Sequence, residues 1–202
     1  MRKIDIQQGS HEWHQARWGN VTGTTLKSAV GKPAVQDTLL YRLVSERMTE
    51  VQVSELETPA VLRGQELEAI ARQKVIEATG INFSETGLLV SDDISNFSIS
   101  PDGIYEQDGV IKGGLEIKCP SSKKHVEYLL KKQVPKEYWH QVIAPFVMSD
   151  DIEFWLFASY DDRNYERPLF VKKVTRYDIS NERQRLRDFL KLADEAHMHL
   201  TF

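Results

Sequence analysis

The sequence predicts an α/β protein, a mixed central sheet flanked by helices. Two observations carry that expectation. Stretches with apolar residues at helical spacing alternate along the chain with short runs rich in β-branched and aromatic residues. Their order is helix, helix, helix, strands, helix, helix, strands, helix, punctuated by Gly, Pro, Ser and Asn. A length of 202 residues suits one domain, residues 1–202, with a real core. There is no internal repeat and no low-complexity stretch.

Taken in order, Ser10 is an N-cap for a short helix over His11 to Trp18, ended by Gly19-Asn20. Thr22-Gly23-Thr24-Thr25 opens a second helix that runs to Val30. Asp37 to Met48 places Leu39, Leu40, Leu43, Val44 and Met48 near helical spacing and reads as a core helix. Val51 to Thr58 is a connector. Thr58 then caps a long helix that starts at Pro59 and stops at Gly80. Ile81 to Val90 reads as the first strand, followed by turn chemistry at Ser91-Asp92-Asp93. Ser121-Ser122 cap a Lys-rich helix to Lys132, and Pro135 leads into a helix over Lys136 to Met148. Ile152 to Tyr160 is a strongly apolar, central strand, Leu169 to Arg176 a further strand, and Ser180 to Leu200 the last helix.

The chemistry concentrates between Phe97 and Pro120. One strand is broken by Pro101-Asp102-Gly103, and a second runs from Gly114 to Cys119, with Gly109 and Gly113-Gly114 as turn or bulge signals. Side chains alternate along a strand, so Glu116 and Lys118 share one face while Leu115 and Ile117 point into the core. A hairpin brings Asp102 beside Glu116. Two carboxylates and the Ile117 carbonyl make an all-oxygen site of the kind that hard divalent cations such as Mg²⁺ occupy. A Lys ammonium alongside can hold or deprotonate an attacking water. Two metals about 4 Å apart can clamp both oxygens of a phosphodiester displacement. By itself a Pro-Asp-Gly turn is common, and so is a Glu-x-Lys surface pair; their order and hairpin spacing give the combination its weight.

Ser100-Pro101-Asp102-Gly103 followed by Leu115-Glu116-Ile117-Lys118-Cys119-Pro120 resembles the active-site signature of the phage lambda exonuclease family, the alkaline exonucleases or YqaJ-type viral recombinases. These belong to the restriction-endonuclease-like superfamily with its PD-(D/E)xK motif, and the resemblance runs from Trp13 to the last helix. It implies a restriction-endonuclease-like core and a metal-dependent 5′→3′ exonuclease acting on linear double-stranded DNA from 5′-phosphorylated ends. Such an enzyme releases mononucleotides and leaves 3′ single strands for recombination by strand annealing. It implies two Mg²⁺ ions, with Mn²⁺ as a substitute, a homotrimeric ring and a single-strand annealing protein as partner.

The resemblance also assigns residues. Asp102, Glu116 and the Ile117 carbonyl bind metal, and Lys118 positions or activates the nucleophilic water. Glu68 matches the Glu of the family's Gly-x-x-x-Glu motif through Gly64; Glu66 lies about 200° around the same helix and cannot share that face. Gln141 matches a motif Gln on the helix after the active-site strands. Trp13-x-x-x-Arg17-x-Gly19-x-x-Thr22-Gly23-Thr24 is similar to the family's N-terminal motif, which places Arg17 and Thr24 on the 5′ phosphate. This chain has Thr-Gly-Thr where the family has Thr-Ala-Ser. Physically, an Arg fork suits a phosphate, although Arg17 can equally pack on Trp13 or Trp18. Ser100 and Lys124 complete the phosphate pocket, and Asp92 is an accessory acid upstream of Asp102.

Rival readings remain open from sequence: another PD-(D/E)xK nuclease, RecB-like or endonucleolytic, or a DNA-end-binding module without catalysis. The net charge of −4 runs against a nucleic-acid binder, but Lys112 to Lys136 carries seven Lys and two Glu, a local +5 next to the acidic cluster. No apolar run reaches the roughly 20 residues of a membrane span. The N-terminus lacks the apolar stretch of a signal peptide, and one cysteine fits a reducing compartment, so the expected location is the cytoplasm.

Overall fold

A computed structural model describes residues 1–50, 58–176 and 179–201. In chain order its elements are β1 (Arg2–Ile4), α1 (His11–Gln15), β2 (Val21–Thr22), α2 (Leu26–Ala29), α3 (Pro33–Thr49) and α4 (Pro59–Thr79). Then follow β3 (Leu88–Val90), β4 (Phe97–Ile99), β5 (Gly103–Gln107), β6 (Val110–Lys118), α5 (Ser122–Lys131) and α6 (Trp139–Met148). The chain closes with β7 (Phe154–Tyr160), β8 (Leu169–Thr175) and α7 (Ser180–Thr201). Of the connector expected over 51–58, residues 51–57 lie outside the described residues.

The fold class is the predicted one, mixed sheet with flanking helices, but the strands divide into two four-stranded sheets, ordered β1-β3-β4-β2 and β5-β6-β7-β8. The division falls at Pro101-Asp102. Proline has no N–H to continue a ladder, so the chain leaves β4 there and enters the second sheet at β5. In that sheet β6 runs antiparallel to β5 and parallel to β7, and β8 closes the far edge antiparallel to β7. The parallel β6–β7 step requires a long crossover, which α5 and α6 supply.

Both faces of β7 are buried, in two apolar clusters. Trp155 and Phe157 join Leu43, Phe97, Ile143 and Phe189, while Phe154, Leu156 and Ala158 join Leu115, Ile117, Ala71 and Val75 of β6 and α4. Leu115 and Ile117 therefore anchor β6 under α4, and the alternation turns Glu116 and Lys118 to the opposite face. Gly113 and Gly114, read from sequence as turn or bulge signals, lie inside β6. A Cβ at either would fall 2.4 Å from the Phe154 ring or 2.2 Å from the Trp155 ring, so these glycines admit aromatic side chains. The bulge falls beside them on the same strand: consecutive Tyr105 and Glu106 pair with Gly113 and Ile111, so Lys112 of β6 is the extra residue.

The long helix α4 has the predicted ends: the Thr58 hydroxyl accepts from the Val61 N–H, and Gly80 closes it at φ 71°. Elsewhere boundaries move. Ser10 caps α1 as expected, but the helix stops at Gln15. Thr22 belongs to β2, its N–H bound by the Thr25 hydroxyl at 2.8 Å, and α2 begins only at Leu26. The strand expected over Ile81 to Val90 shrinks to Leu88–Val90 plus an isolated bridge from Ser84 to Ile104. The first strand is instead Arg2–Ile4, antiparallel to β3. α6 begins at Trp139 rather than Lys136.

Candidate active site

The motif residues meet where β5 and β6 part. The ladder ends at Gly103 opposite Leu115, and the Asp102 N–H extends it by donating to the Leu115 carbonyl at 3.1 Å. The Asp102 side chain then takes the place of a strand: its Oδ2 accepts from the Ile117 N–H at 2.5 Å. In a strand the N–H and C=O of one residue face the same neighbour, so the Ile117 carbonyl also opens toward Asp102. On the next face Glu116 is 3 % exposed. The Lys118 ammonium stands 2.5 Å from Glu116 Oε1 as a close ion pair inside the site. Gln141, from α6, lines the same cleft as Glu116, and its side chain favours the charged form of that carboxylate. Lys118 also lies 5.3 Å above the Tyr138 ring.

Glu68 arrives from α4, where Arg72 one turn on binds it at 2.9 Å. Burial, then the charge of Glu116, pushes the Asp102 carboxyl up to about 7, against the pull of Lys118, the Ile117 N–H and Arg72. Burial raises Glu116 as well, with Lys118 opposing and Glu68 adding to the shift. Burial and Asp102 raise Glu68. Burial would lower the Lys118 ammonium, but Glu116 and Asp102 outweigh it and hold it above its ordinary value. Three carboxyls, Glu116 buried and Asp102 and Glu68 partly so, repel one another and form a site that a divalent cation relieves. The donor set of Asp102, Glu116, the Ile117 carbonyl and Glu68 fits a hard cation such as Mg²⁺. Among the described residues no three His, Cys, Asp or Glu side chains already stand at ligand spacing; Lys118 and Arg72 engage Glu116 and Glu68 instead.

Beside this cluster is a cleft of about 200 Å³ whose lining includes Trp13, Arg17, Thr24, Ser100, Glu116 and Gln141. The Arg17 guanidinium stacks 3.7 Å over the Trp13 ring. The Trp13 indole N–H binds the Ser100 hydroxyl at 2.9 Å, and the Thr24 and Thr22 hydroxyls are 2.9 Å apart. Gly23, where the chain departs from the family pattern, also lines the cleft. A Cβ there would stand 3.5 Å from Gln141 Cγ, in ordinary contact.

Two assigned residues stand apart from these groups. Lys124 does not line the cleft; its ammonium pairs with Glu137 at 2.7 Å on an exposed face, because that carboxylate also holds the Tyr128 hydroxyl and anchors the helix there. Asp92 is taken up by the N-terminal amine at 2.6 Å and by Arg2 at 3.3 Å, since β1 lies along β3 and delivers the terminus to it. His140, next to Gln141 on α6, is half-buried. Its Nδ1 is buried without a hydrogen-bond partner, and burial, with Lys27, lowers its pKa. Two residues were missed. Trp13 was read as part of a motif but not as the side chain that braces Arg17 and Ser100. Arg72 carried no signal beyond its spacing of one helical turn from Glu68.

The profile of the YqaJ-like viral recombinase domain matches residues 12–150. A search of curated protein sequences finds no match. Among solved structures, the chain is similar to an alkaline exonuclease from Laribacter hongkongensis, with 29 % identity and a TM-score of 0.85 over 95 % of this chain and 96 % of that one. The same enzyme in complex with dAMP aligns at 30 % identity, also with a TM-score of 0.85, over the same shares. A phage-related exonuclease from Haemophilus somnus shares the fold at 12 % identity and a TM-score of 0.66, over 90 % of this chain and 96 % of that one. With the profile spanning most of its length and both motif strands, the chain belongs to the YqaJ-like viral recombinase domain family.

Proposed function

We propose that this protein is a metal-dependent 5′→3′ exonuclease that degrades linear double-stranded DNA from 5′-phosphorylated ends and releases mononucleotides. The observation that carries the reading is the shared cleft. Arg17, Thr24 and Ser100 line the same small cavity as Glu116 and Gln141. A terminal phosphate held by the first group leaves the adjoining phosphodiester facing the second. Nuclease chemistry also follows from likeness to an alkaline exonuclease along nearly the whole chain, and the deoxynucleoside monophosphate in that enzyme's complex has the form of the product proposed here.

Asp102, Glu116, the Ile117 carbonyl and, directly or through water, Glu68 would hold two Mg²⁺ ions, or Mn²⁺ in their place. Bound there, the ions supply Lewis acidity and neutralise charge on the scissile phosphate. The protein's own groups do the positioning. Lys118, kept cationic by Glu116 and Asp102, orients the attacking water and stabilises charge on the phosphoryl oxygens. Gln141 holds the Glu116 carboxylate. Arg17, with its plane set by the Trp13 ring, presents a fork to the 5′ phosphate, and the Ser100 and Thr24 hydroxyls complete the contact. The 3′ single strands left behind would feed recombination with a single-strand annealing protein, and the enzyme would work as a homotrimeric ring; both proposals rest on the family resemblance. Among the described residues no helix is long and apolar enough to cross a membrane. We place the enzyme in the cytoplasm, where its DNA substrate and a reduced Cys119 are at home.

The test is digestion of linear duplex DNA carrying a 5′ phosphate and an end label, with Mg²⁺ or chelator, beside a covalently closed circle. The expected result is Mg²⁺-dependent mononucleotide release from the 5′ end with the circle spared. Cutting of the circle would establish an endonuclease, and binding without cutting a DNA-end-binding module.

A further inference from the structure

Arg72 joins two acids that the chain delivers from separate places. Asp102 stands at the break between β4 and β5; Glu68 stands on α4. The Arg72 Nε donates to the Asp102 carbonyl at 2.7 Å and its Nη2 to Glu68 Oε1 at 2.9 Å. Its remaining nitrogen, Nη1, pairs with Glu85, which closes the fork from outside. The side chain is only 12 % exposed. The arginine stem packs beside the glycine after the motif acid: a Cβ at Gly103 would lie 3.6 Å from Arg72 Cδ and 3.1 Å from Phe83 Cβ. A side chain at 103 would press on Phe83, while standing in ordinary contact with the arginine stem.

We propose that Arg72 is a positioning residue of this site, its planar fork fixing the Glu68 carboxylate against the Asp102 backbone so that both acids face one cation. The proposal rests on the reading of Asp102 and Glu68 as holders of a divalent ion. A guanidinium can bind a carbonyl, a carboxylate and a second carboxylate in one plane, whereas a lysine ammonium offers a point charge on a flexible stem. The sign of the effect separates positioning from charge. As a bare charge Arg72 repels a divalent cation, so its removal would tighten ion binding. As a positioning residue it holds the ligands in place, so its removal weakens binding, by about 10- to 100-fold as for other outer partners of metal ligands.

The experiment is calorimetric titration of the whole protein with Mn²⁺ in the absence of DNA, for the wild type, Arg72→Gln, Arg72→Lys, Glu68→Gln and the Arg72→Gln/Glu68→Gln double variant. Circular dichroism reports folding of each. The expected result is about a 10-fold or greater loss of Mn²⁺ affinity in Arg72→Gln, most of that loss in Arg72→Lys, and a double variant no weaker than the poorer single one. In cleavage assays kcat falls while KM for DNA ends stays within about 2-fold, because Arg72 does not line the DNA-end cleft. Unchanged or tighter Mn²⁺ binding in Arg72→Gln overturns the proposal, and so does full multiplication of the two single effects in the double variant. If Arg72→Gln does not fold, Arg72→Lys decides by the same criterion. Asp102→Asn separates the two levels of inference. If it leaves Mn²⁺ binding intact, the reading of the ion site itself fails; if it weakens binding while the Arg72 variants bind normally, only the role of Arg72 fails.

Discussion

Lys118→Ala tests the centre of the site through stability and turnover together. Lys118 stands 2.5 Å from Glu116, with 26 % and 4 % of the two side chains exposed. Alanine removes the cation and leaves the carboxylate buried without it. Breaking a buried pair from one side costs about 3–5 kcal/mol, and the partial exposure of Lys118 puts this case near the lower figure. At about 2–4 °C per kcal/mol for a domain of this size, the melting temperature in chelator falls by roughly 6–12 °C. A divalent ion replaces the missing charge, so Mg²⁺ raises the melting temperature of the variant more than that of the wild type. Turnover falls by about 10²–10³, as for loss of one preorganised donor to developing charge. The assays are scanning calorimetry in chelator and in Mg²⁺, and mononucleotide release from a labelled duplex. Near-normal turnover would remove Lys118 from the mechanism. An unchanged melting temperature would refute the buried pair. A smaller Mg²⁺ effect than in the wild type would refute ion binding at Glu116.

Three further predictions follow from the same geometry. Arg17→Ala is expected to reduce the preference for 5′-phosphorylated over 5′-hydroxyl ends by about 10- to 100-fold, the worth of a charge-assisted contact, measured as the ratio of kcat/KM on the two duplexes; an unchanged ratio sinks the phosphate pocket. Asp102, ordinarily near 3.9 and here raised to about 7, keeps its proton in the folded chain after the unfolded chain has lost it. Its contribution to stability is therefore full below about pH 4 and lost as pH rises to about 7. Urea denaturation in chelator should show that decline, flattened in Asp102→Asn and opposed by Mg²⁺; an equal decline in the Asn variant would contradict the assignment. Gly23→Ala places its Cβ in ordinary contact with Gln141, Ile99 and Ala144. It should keep activity within about 2-fold while gaining roughly 0.4–1 kcal/mol from a stiffer unfolded chain, and a 10-fold loss of cleavage would show that the cleft floor needs glycine.

The sequence by itself determined the parts whose physics is local. Thr58-Pro59 and Gly80 mark both ends of α4 because a cap, a first-turn proline and a left-handed stop each act within a few residues. The alternation Leu115, Glu116, Ile117, Lys118 sorts core from chemistry by the two-residue period of a strand. Pro101 announces a break because it cannot donate to a ladder, although only the structure shows the chain passing there from one sheet to another. What depends on distant partners was not legible. β1 exists because Arg2–Ile4 finds Leu88–Val90, and a three-residue strand has no period of its own. Lys124 and Asp92 carry the right charge for a site, yet Glu137 and the N-terminal amine claim them first. Trp13 and Arg72 show the reverse: a motif names the groups that could meet substrate or ion, but the side chains that brace them are chosen by whatever the tertiary fold brings within hydrogen-bond reach. For Trp13 that is Ser100, and for Arg72 it is the carbonyl of Asp102, 87 and 30 residues away along the chain.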